Sequence, residues 1–217
     1  MFNAAAVIAL AKKAGEKIMD IYQNDFAIYE KADASPLTEA DLAAHNCIVV
    51  GLQTLTPNIP ILSEESTAQE GADRYSWSCY WLIDPLDGTK EFIKKNGEFT
   101  VNIALIKDGK AVFGVVHAPA IGTTYWGEAT KGAYKQQGSG AEKQITVSTL
   151  PSSSQAWRVV GSRSHQSEQF KSFVQKLPHS EIVAMGSSLK LCLVAEGAAD
   201  LYPRLGLTSE WDTAAAQ

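Results

Sequence analysis

Apolar residues recur at helical spacing near the start of the chain. Ala6, Ile8, Ala9, Ala14 and Ile18 continue one pattern, which predicts an amphipathic helix over residues 3–23. Residues 24–36 keep no period, with Asp33 and Pro36 interrupting it, and read as irregular. Thr38-Glu39-Ala40-Asp41 has the form of a helix start: a threonine that can cap, and an acid three residues on that can reach back. The helix it opens runs through Leu42, Cys47, Ile48 and Leu52. Residues 59–62 predict a short strand entering Ser63-Glu64-Glu65, and residues 68–78 a polar loop. Tyr80-Trp81-Leu82-Ile83 predicts an apolar strand that delivers Asp84.

Short β-rich runs follow at residues 99–107, 111–117, 123–126 and 144–147. Asp108-Gly109 between the first two is a hairpin turn signal. Residues 157–160 predict a strand, 166–176 a helix, and 200–202 a strand; Leu189, Cys192, Leu193 and Glu196 lie on a helix starting near Ser187. Trp211-Asp212 opens a last helix that has nothing to pack into, so the C-terminal side is expected to be incomplete. The pattern is mixed α/β, with helices layered on sheets. It is read as one unit over 1–217, with an α+β half to about residue 150 and a shorter α/β half from 151.

Composition narrows the classes. Of 217 residues, 45% are apolar and 20% charged, which excludes a disordered chain. A net charge of −5 leaves no surplus of cations for a nucleic-acid polymer. Cys47, Cys79 and Cys192 form no CxxC, so neither a disulfide framework nor a zinc ribbon is indicated, and a reducing compartment fits. No apolar run approaches the roughly 20 residues needed to cross a bilayer. The apolar start has no positive charge before it, so it reads as helix rather than signal peptide. A soluble, intracellular protein without integral membrane contact is expected.

Candidate chemistry centres on Asp84-Pro85-Leu86-Asp87-Gly88-Thr89. Pro85 fixes φ and suits the second position of a tight turn, bringing Asp84 and Asp87 together at a strand end. The Leu86 carbonyl can supply a third oxygen. Gly88 permits close backbone approach, and Gly88 and Thr89 can offer N–H groups to an anion. Carboxylates this close require a proton or a cation between them, and all-oxygen ligands suit Mg²⁺. Read singly, each piece has a bland alternative. Asp-Pro is a common turn, Glu64-Glu65 a solvated loop, Asp212 a helix cap and Asp41 a first-turn acid.

Together, in order and spacing, Ser63-Glu64-Glu65, Trp81 through Thr89, and Trp211-Asp212-Thr213-Ala214-Ala215 resemble the signature of the inositol monophosphatase-like, Mg²⁺-dependent and Li⁺-sensitive phosphatases. The nucleotidase branch acting on 3′(2′),5′-bisphosphates is nearest, on segments including Asn96 to Leu105, Ser162-Arg163-Ser164-His165, Gly186-Ser187-Ser188-Leu189-Lys190 and Ala199 to Arg204. The resemblance covers nearly the whole chain and implies an α/β/α/β/α sandwich with the site between two halves. It implies two Mg²⁺ ions, held by Glu64, Asp84 and the Leu86 carbonyl, and by Asp84, Asp87 and Asp212. Glu65 or Asp41 would serve a third, weaker ion, and Thr89 with Glu64 would orient the attacking water. His165, Ser187, Lys190 and Arg204 would line the nucleotide end.

The implied substrate is a small nucleotide bisphosphate, 3′-phosphoadenosine 5′-phosphate, left by sulfate assimilation and hydrolysed to AMP. Phosphoadenylyl sulfate would be a second substrate. Some relatives sit peripherally on the inner face of the cell membrane. Other readings stand beside this one. An inositol or sugar phosphatase could use the same scaffold. A metal- or nucleotide-binding module without catalysis is another. Ser187-x-x-Lys190 also fits a serine acyl-enzyme motif, but its companion motifs are absent.

Overall fold

The computed structural model describes residues 2–24, 26–30, 36–67, 69, 71–162 and 167–217. Helix α1 (Ala4–Tyr22) is capped by the Asn3 side chain, which accepts from the Ala6 N–H at 3.2 Å. Its buried stripe is Val7, Leu10, Ala11, Ala14 and Ile18, rotated from the expected one. Alanine marks a face weakly, and the bulkier Val7 and Leu10 decide which side packs. The stretch read as irregular holds two short strands, β1 (Ile28–Glu30) and β2 (Pro36–Thr38), paired antiparallel.

Helix α2 (Glu39–Leu55) begins as the sequence indicates. Asp41 Oδ2 accepts from the Thr38 N–H at 2.7 Å and the Thr38 hydroxyl at 2.6 Å, and Thr38 Oγ1 accepts from the Ala40 N–H at 3.2 Å. This reciprocal cap satisfies donors that a helix start otherwise leaves open.

The main sheet has seven strands in chain order. Strand β3 (Ile61–Ser63) runs parallel to β4 (Cys79–Asp87). The short helix α3 (Thr89–Ile93) follows β4. An antiparallel meander then adds β5 (Thr100–Lys107), β6 (Lys110–Ala118), β7 (Thr123–Glu128), β8 (Gly132–Gln137) and β9 (Lys143–Ile145). The β5–β6 turn is the expected Asp108-Gly109, with φ of 49° and 73°, as a two-residue hairpin of this hand requires.

A second, parallel sheet pairs β10 (Trp157–Gly161) with β11 (Ser180–Ala184) across helix α4 (Glu168–Val174). Helix α5 (Leu189–Ala195) follows. Strands β8 and β11 were not expected: neither shows clean alternation, and the first half of β11 is exposed. The strand expected at residues 200–202 reduces to a single bridge between Val159 and Leu201. The last expected helix is a 3₁₀ turn, Glu210–Asp212, and Ala214 beyond it is buried. Gly114 permits this packing, since a Cβ there would lie 2.1 Å from the Ala215 carbonyl oxygen.

Period-two alternation divides the sheet into two working faces. Trp81, Ile83, Val101, Ile103, Leu105, Phe113 and Val115 form one core with α1 and α2. Leu62, Leu82, Ala104 and Ile106 face the other way, against Trp211 and Ala214. Val116, Ala118 and Tyr125 meet Leu189 and Cys192 of α5 on that same side. With the second sheet beneath α5 and α4 outside it, the order is α/β/α/β/α, as the resemblance implies. No described helix is long and apolar enough to cross a membrane.

Candidate functional site

Asp84 shares parity with Leu82, so β4 points it away from α1 and α2, toward the C-terminal half. The expected proline-set tight turn is not what brings Asp87 beside it. The strand continues through Pro85, and Asp84 pairs with Asn102 while Asp87 pairs with Thr100. Three steps on β4 thus match two on β5, which is a β-bulge. Proline is tolerated here because the ladder is already interrupted. The extra residue also resets alternation: a spacing of three would put the two aspartates on opposite faces, and the bulge returns both to one. The Leu86 N–H donates to Asp84 Oδ1 at 3.1 Å and closes the loop. Gly88 follows at φ 92°, and a Cβ there would lie 3.0 Å from the Glu98 carbonyl oxygen, so glycine is required.

Two further acids, Glu64 and Asp212, converge on this bulge. Ligand oxygens of Asp84, Asp87 and Asp212 lie within 4.8 Å of one another. Glu64 leaves the end of β3 with its N–H donating to the Ile83 carbonyl at 3.0 Å, and its carboxyl is hydrogen-bonded to Asp84. Asp212 is placed by the packing of Trp211 against the sheet, and one of its oxygens accepts from the Thr208 hydroxyl at 2.7 Å and the Ser209 N–H at 3.1 Å.

Asp84 is 1% exposed. Burial, then the charges of Asp87, Glu64 and Asp212, push its carboxyl well above the usual range. Burial also raises Asp87, opposed by the Ser187 hydroxyl and the Lys190 charge. Four acids arranged this way hold a proton or a cation between them. The donors are hard oxygens at a strand bulge, a set that fits a divalent ion of the Mg²⁺ class.

The Thr89 hydroxyl lies 3.3 Å from both the Leu86 carbonyl and Asp41 Oδ1. Asp41, 1% exposed, therefore serves the α2 cap with one oxygen and Thr89 with the other. The Glu65 N–H donates to Ser63 Oγ at 3.2 Å, which shapes the Glu64-Glu65 turn, and Ser63 is held in turn by His45 of α2 at 2.9 Å.

On the C-terminal side, Ser187, Lys190 and Arg204 border a cavity of about 60 Å³ that also touches Asp87 and Asp212. Lys190 on α5 is half-buried, with Nζ 5.6 Å above the Tyr202 ring. Burial lowers its pKa, while Asp87 and Glu91 oppose the shift. Arg204 is exposed, and its guanidinium donates to the Leu207 carbonyl. Ser187 donates its hydroxyl to Asp87 at 2.7 Å. His165 lies outside the described residues. The structure thus brings together Glu64, Asp84, Asp87 and Asp212, sets Asp41, Leu86 and Thr89 together, and places the cations beside them.

Sequence reasoning passed over Thr100, Asn102 and Ser188. The available signal was two polar residues at alternate positions of an otherwise apolar strand.

The family model for the inositol monophosphatase family matches residues 3–217. The chain belongs to that family. Among its relatives, the 3′(2′),5′-bisphosphate nucleotidase CysQ of Escherichia coli O6:H1 is 50% identical over 211 residues, 96% of this chain and 83% of that protein. The Salmonella typhimurium protein of the same name is 51% identical over the same shares. Among solved family members, CysQ from Bacteroides thetaiotaomicron superposes with a TM-score of 0.85 at 42% identity, covering 99% of this chain and 83% of that one. A Thermotoga maritima inositol monophosphatase superposes at 0.77 with 27% identity, covering 96% of this chain and 78% of that one.

Proposed function

We propose that this chain hydrolyses nucleoside 3′(2′),5′-bisphosphates, removing the 3′-phosphate of 3′-phosphoadenosine 5′-phosphate to leave AMP. The observation that carries the reading is Asp84, buried and hydrogen-bonded to Glu64 with Asp87 and Asp212 around it, next to the cations Lys190 and Arg204. Relatives about half identical are named for this activity. Phosphoadenylyl sulfate is a second substrate of the same chemistry, and the role is nucleotide recycling in sulfate assimilation.

Glu64, Asp84 and the Leu86 carbonyl would hold one Mg²⁺, and Asp84, Asp87 and Asp212 another, with Asp84 shared; Glu65 or Asp41 would serve a third, weaker site. Such ions, when bound, lower the pKa of water and stabilise charge on phosphoryl oxygens. The rest falls to the chain. Asp41 and the Leu86 carbonyl both draw on the one hydrogen of the Thr89 hydroxyl, which leaves the Thr89 oxygen lone pairs to accept from an attacking water. Glu64, on the other side, orients that water. The Gly88 and Thr89 N–H groups would be offered to the phosphate to be cleaved.

Lys190 and Arg204 pair with the second phosphate, and Ser187 and His165 with the nucleoside. No covalent intermediate is needed. Residues 1–217 act as one unit, because the acids come from both halves.

Phosphate release from 3′-phosphoadenosine 5′-phosphate, with and without Mg²⁺ and with added Li⁺, tests this. Mg²⁺-dependent, Li⁺-inhibited release that exceeds release from inositol 1-phosphate is expected. Preference for inositol 1-phosphate would reassign the substrate within the family. No release from either would leave a binding module.

A further inference from the structure

Behind Asp87 lies a cluster of buried side-chain hydroxyls that joins the two halves. Asp87 Oδ2 accepts from the Ser187 hydroxyl at 2.7 Å and from the Ser188 N–H. Thr100 Oγ1, on β5, lies 2.6 Å from Ser187 Oγ and 2.8 Å from Ser188 Oγ. Asn102 Oδ1, two residues along the same face, is 2.9 Å from Ser188 Oγ and 3.1 Å from Thr100 Oγ1. Thr100, Asn102, Ser187 and Ser188 are 0%, 1%, 7% and 4% exposed.

Each hydroxyl has one hydrogen. The Ser187 hydrogen goes to Asp87, so toward Thr100 the Ser187 oxygen can only accept. Asn102 Oδ1, which can only accept, takes hydrogen bonds from the Ser188 and Thr100 hydroxyls. Thr100 thus shares its hydrogen between Ser187 and Asn102.

Two features show that folding stability alone does not explain the cluster. Ser187 sits at φ 55°, in the left-handed region that a non-glycine residue occupies only when its surroundings force it. The buried Asn102 Nδ2 has no hydrogen-bond partner among the described residues. A strained serine on one Asp87 oxygen, and a buried asparagine behind the serines, are kept together.

We infer that Thr100 and Asn102 are positioning residues: through Ser187 and Ser188 they lock one Asp87 oxygen, so that the other is presented to the divalent ion shared with Asp84 and Asp212. The inference rests on the metal site proposed above but not on the identity of the substrate. A locked carboxylate loses less rotamer freedom when it binds, so the effect falls on metal affinity rather than on the nucleotide.

The test is Mn²⁺ binding, read by water-proton relaxation without substrate. Four full-length proteins are compared: wild type, Thr100→Val, Thr100→Ser and Thr123→Val. Thr123 is a buried threonine bonded to Gln137, with no hydrogen bond to the acids, and controls for loss of any buried hydroxyl. Thr100→Val is expected to weaken Mn²⁺ binding about 10-fold or more. Thr100→Ser is expected to restore it to within about 2-fold, and Thr123→Val to leave it unchanged. In turnover, the metal concentration for half-maximal rate should move with the Mn²⁺ affinity, while KM for the bisphosphate at saturating metal stays within about 2-fold.

Wild-type Mn²⁺ affinity in Thr100→Val, no rescue by serine, or an equal loss in Thr123→Val would each overturn the inference. If Thr100→Val does not fold, Ser188→Ala is read instead. It keeps the N–H on Asp87 and removes the partner of Thr100 and Asn102; weaker Mn²⁺ binding supports the inference and unchanged binding overturns it. A wild-type chain that binds Mn²⁺ but releases no phosphate from the bisphosphate ends the nucleotidase reading alone. One that binds no Mn²⁺ ends both.

Discussion

Asp84 and Asp200 are both nearly sealed from solvent, and their surroundings are opposite. The Asp200 side chain is 2% exposed and meets the Arg158 guanidinium at 2.6 Å, the Arg158 N–H at 2.8 Å and the Ser148 hydroxyl at 2.7 Å. Those donors hold its pKa down to about 2. Asp84 has only the Leu86 N–H among the donors described around it, and three acids, and is pushed the other way. Asp200 finds its counter-charge inside the chain and does a structural job, tying β10 to the bridge at Leu201. Asp84 is left to a proton or to a cation that the cluster could hold. A buried acid whose neighbours are acids marks a site rather than a brace.

Substituting each aspartate separates the two roles. Asp84→Asn removes the shared ligand, and Mg²⁺-dependent phosphate release should fall on the order of 10²–10³-fold. The same change should raise the thermal midpoint of the metal-free protein. The sign follows from linkage: a raised carboxyl pKa favours the protonated form in the fold. The charged form is therefore a cost above the unfolded pKa of 3.8, present in full at pH values above the raised native pKa. Asparagine removes that cost. A lower metal-free midpoint in this variant would break the contrast.

Asp200→Ala should do the reverse. It leaves Arg158 without its partner, and stability should drop by about 2–3 kcal/mol in chemical denaturation, at the low end for a buried pair because the arginine side is 37% exposed. Turnover per folded molecule should be unchanged. A loss of turnover without loss of stability would move Asp200 into the site.

A smaller effect concerns the buried His117, whose pKa burial lowers to about 4. Its neutral ring shares a hydrogen bond with Thr124 Oγ1 at 2.9 Å. The folded pKa lies below the ordinary 6.5, so its contribution is intact above pH 6.5 and is lost as pH falls toward 4. At pH 5 this amounts to about 2 kcal/mol. In His117→Gln the fall in stability between pH 6.5 and 5 should be shallower than in wild type, in parallel denaturation series. Equal slopes would assign the pH dependence to other groups.

How much of this was legible beforehand differs by element. The Thr38–Asp41 cap, the α1 and α2 helices, β4 to β7 and the Asp108-Gly109 hairpin follow from local pattern, and each formed. Strands β8 and β11 did not show, because half-exposed strands carry no clean alternation and are held by their neighbours. At the site, the residues were legible and the geometry was not. The sequence pointed to a proline turn, whereas an extra residue in one strand does the work. That choice depends on the partner strand, which local sequence does not contain. Thr100, Asn102 and Ser188 behind Asp87 were missed for a related reason: their meaning lies in contacts 86 to 88 residues apart.

The most direct check on the acid cluster is a thermal-unfolding titration with Mg²⁺ or Mn²⁺, run in parallel on wild type and Asp84→Asn at neutral pH. Wild type should rise in midpoint saturably with the ion, by mass action, and the variant, starting higher, should scarcely respond. Equal upward shifts in both proteins, or none in wild type, would contradict a cation site at Asp84.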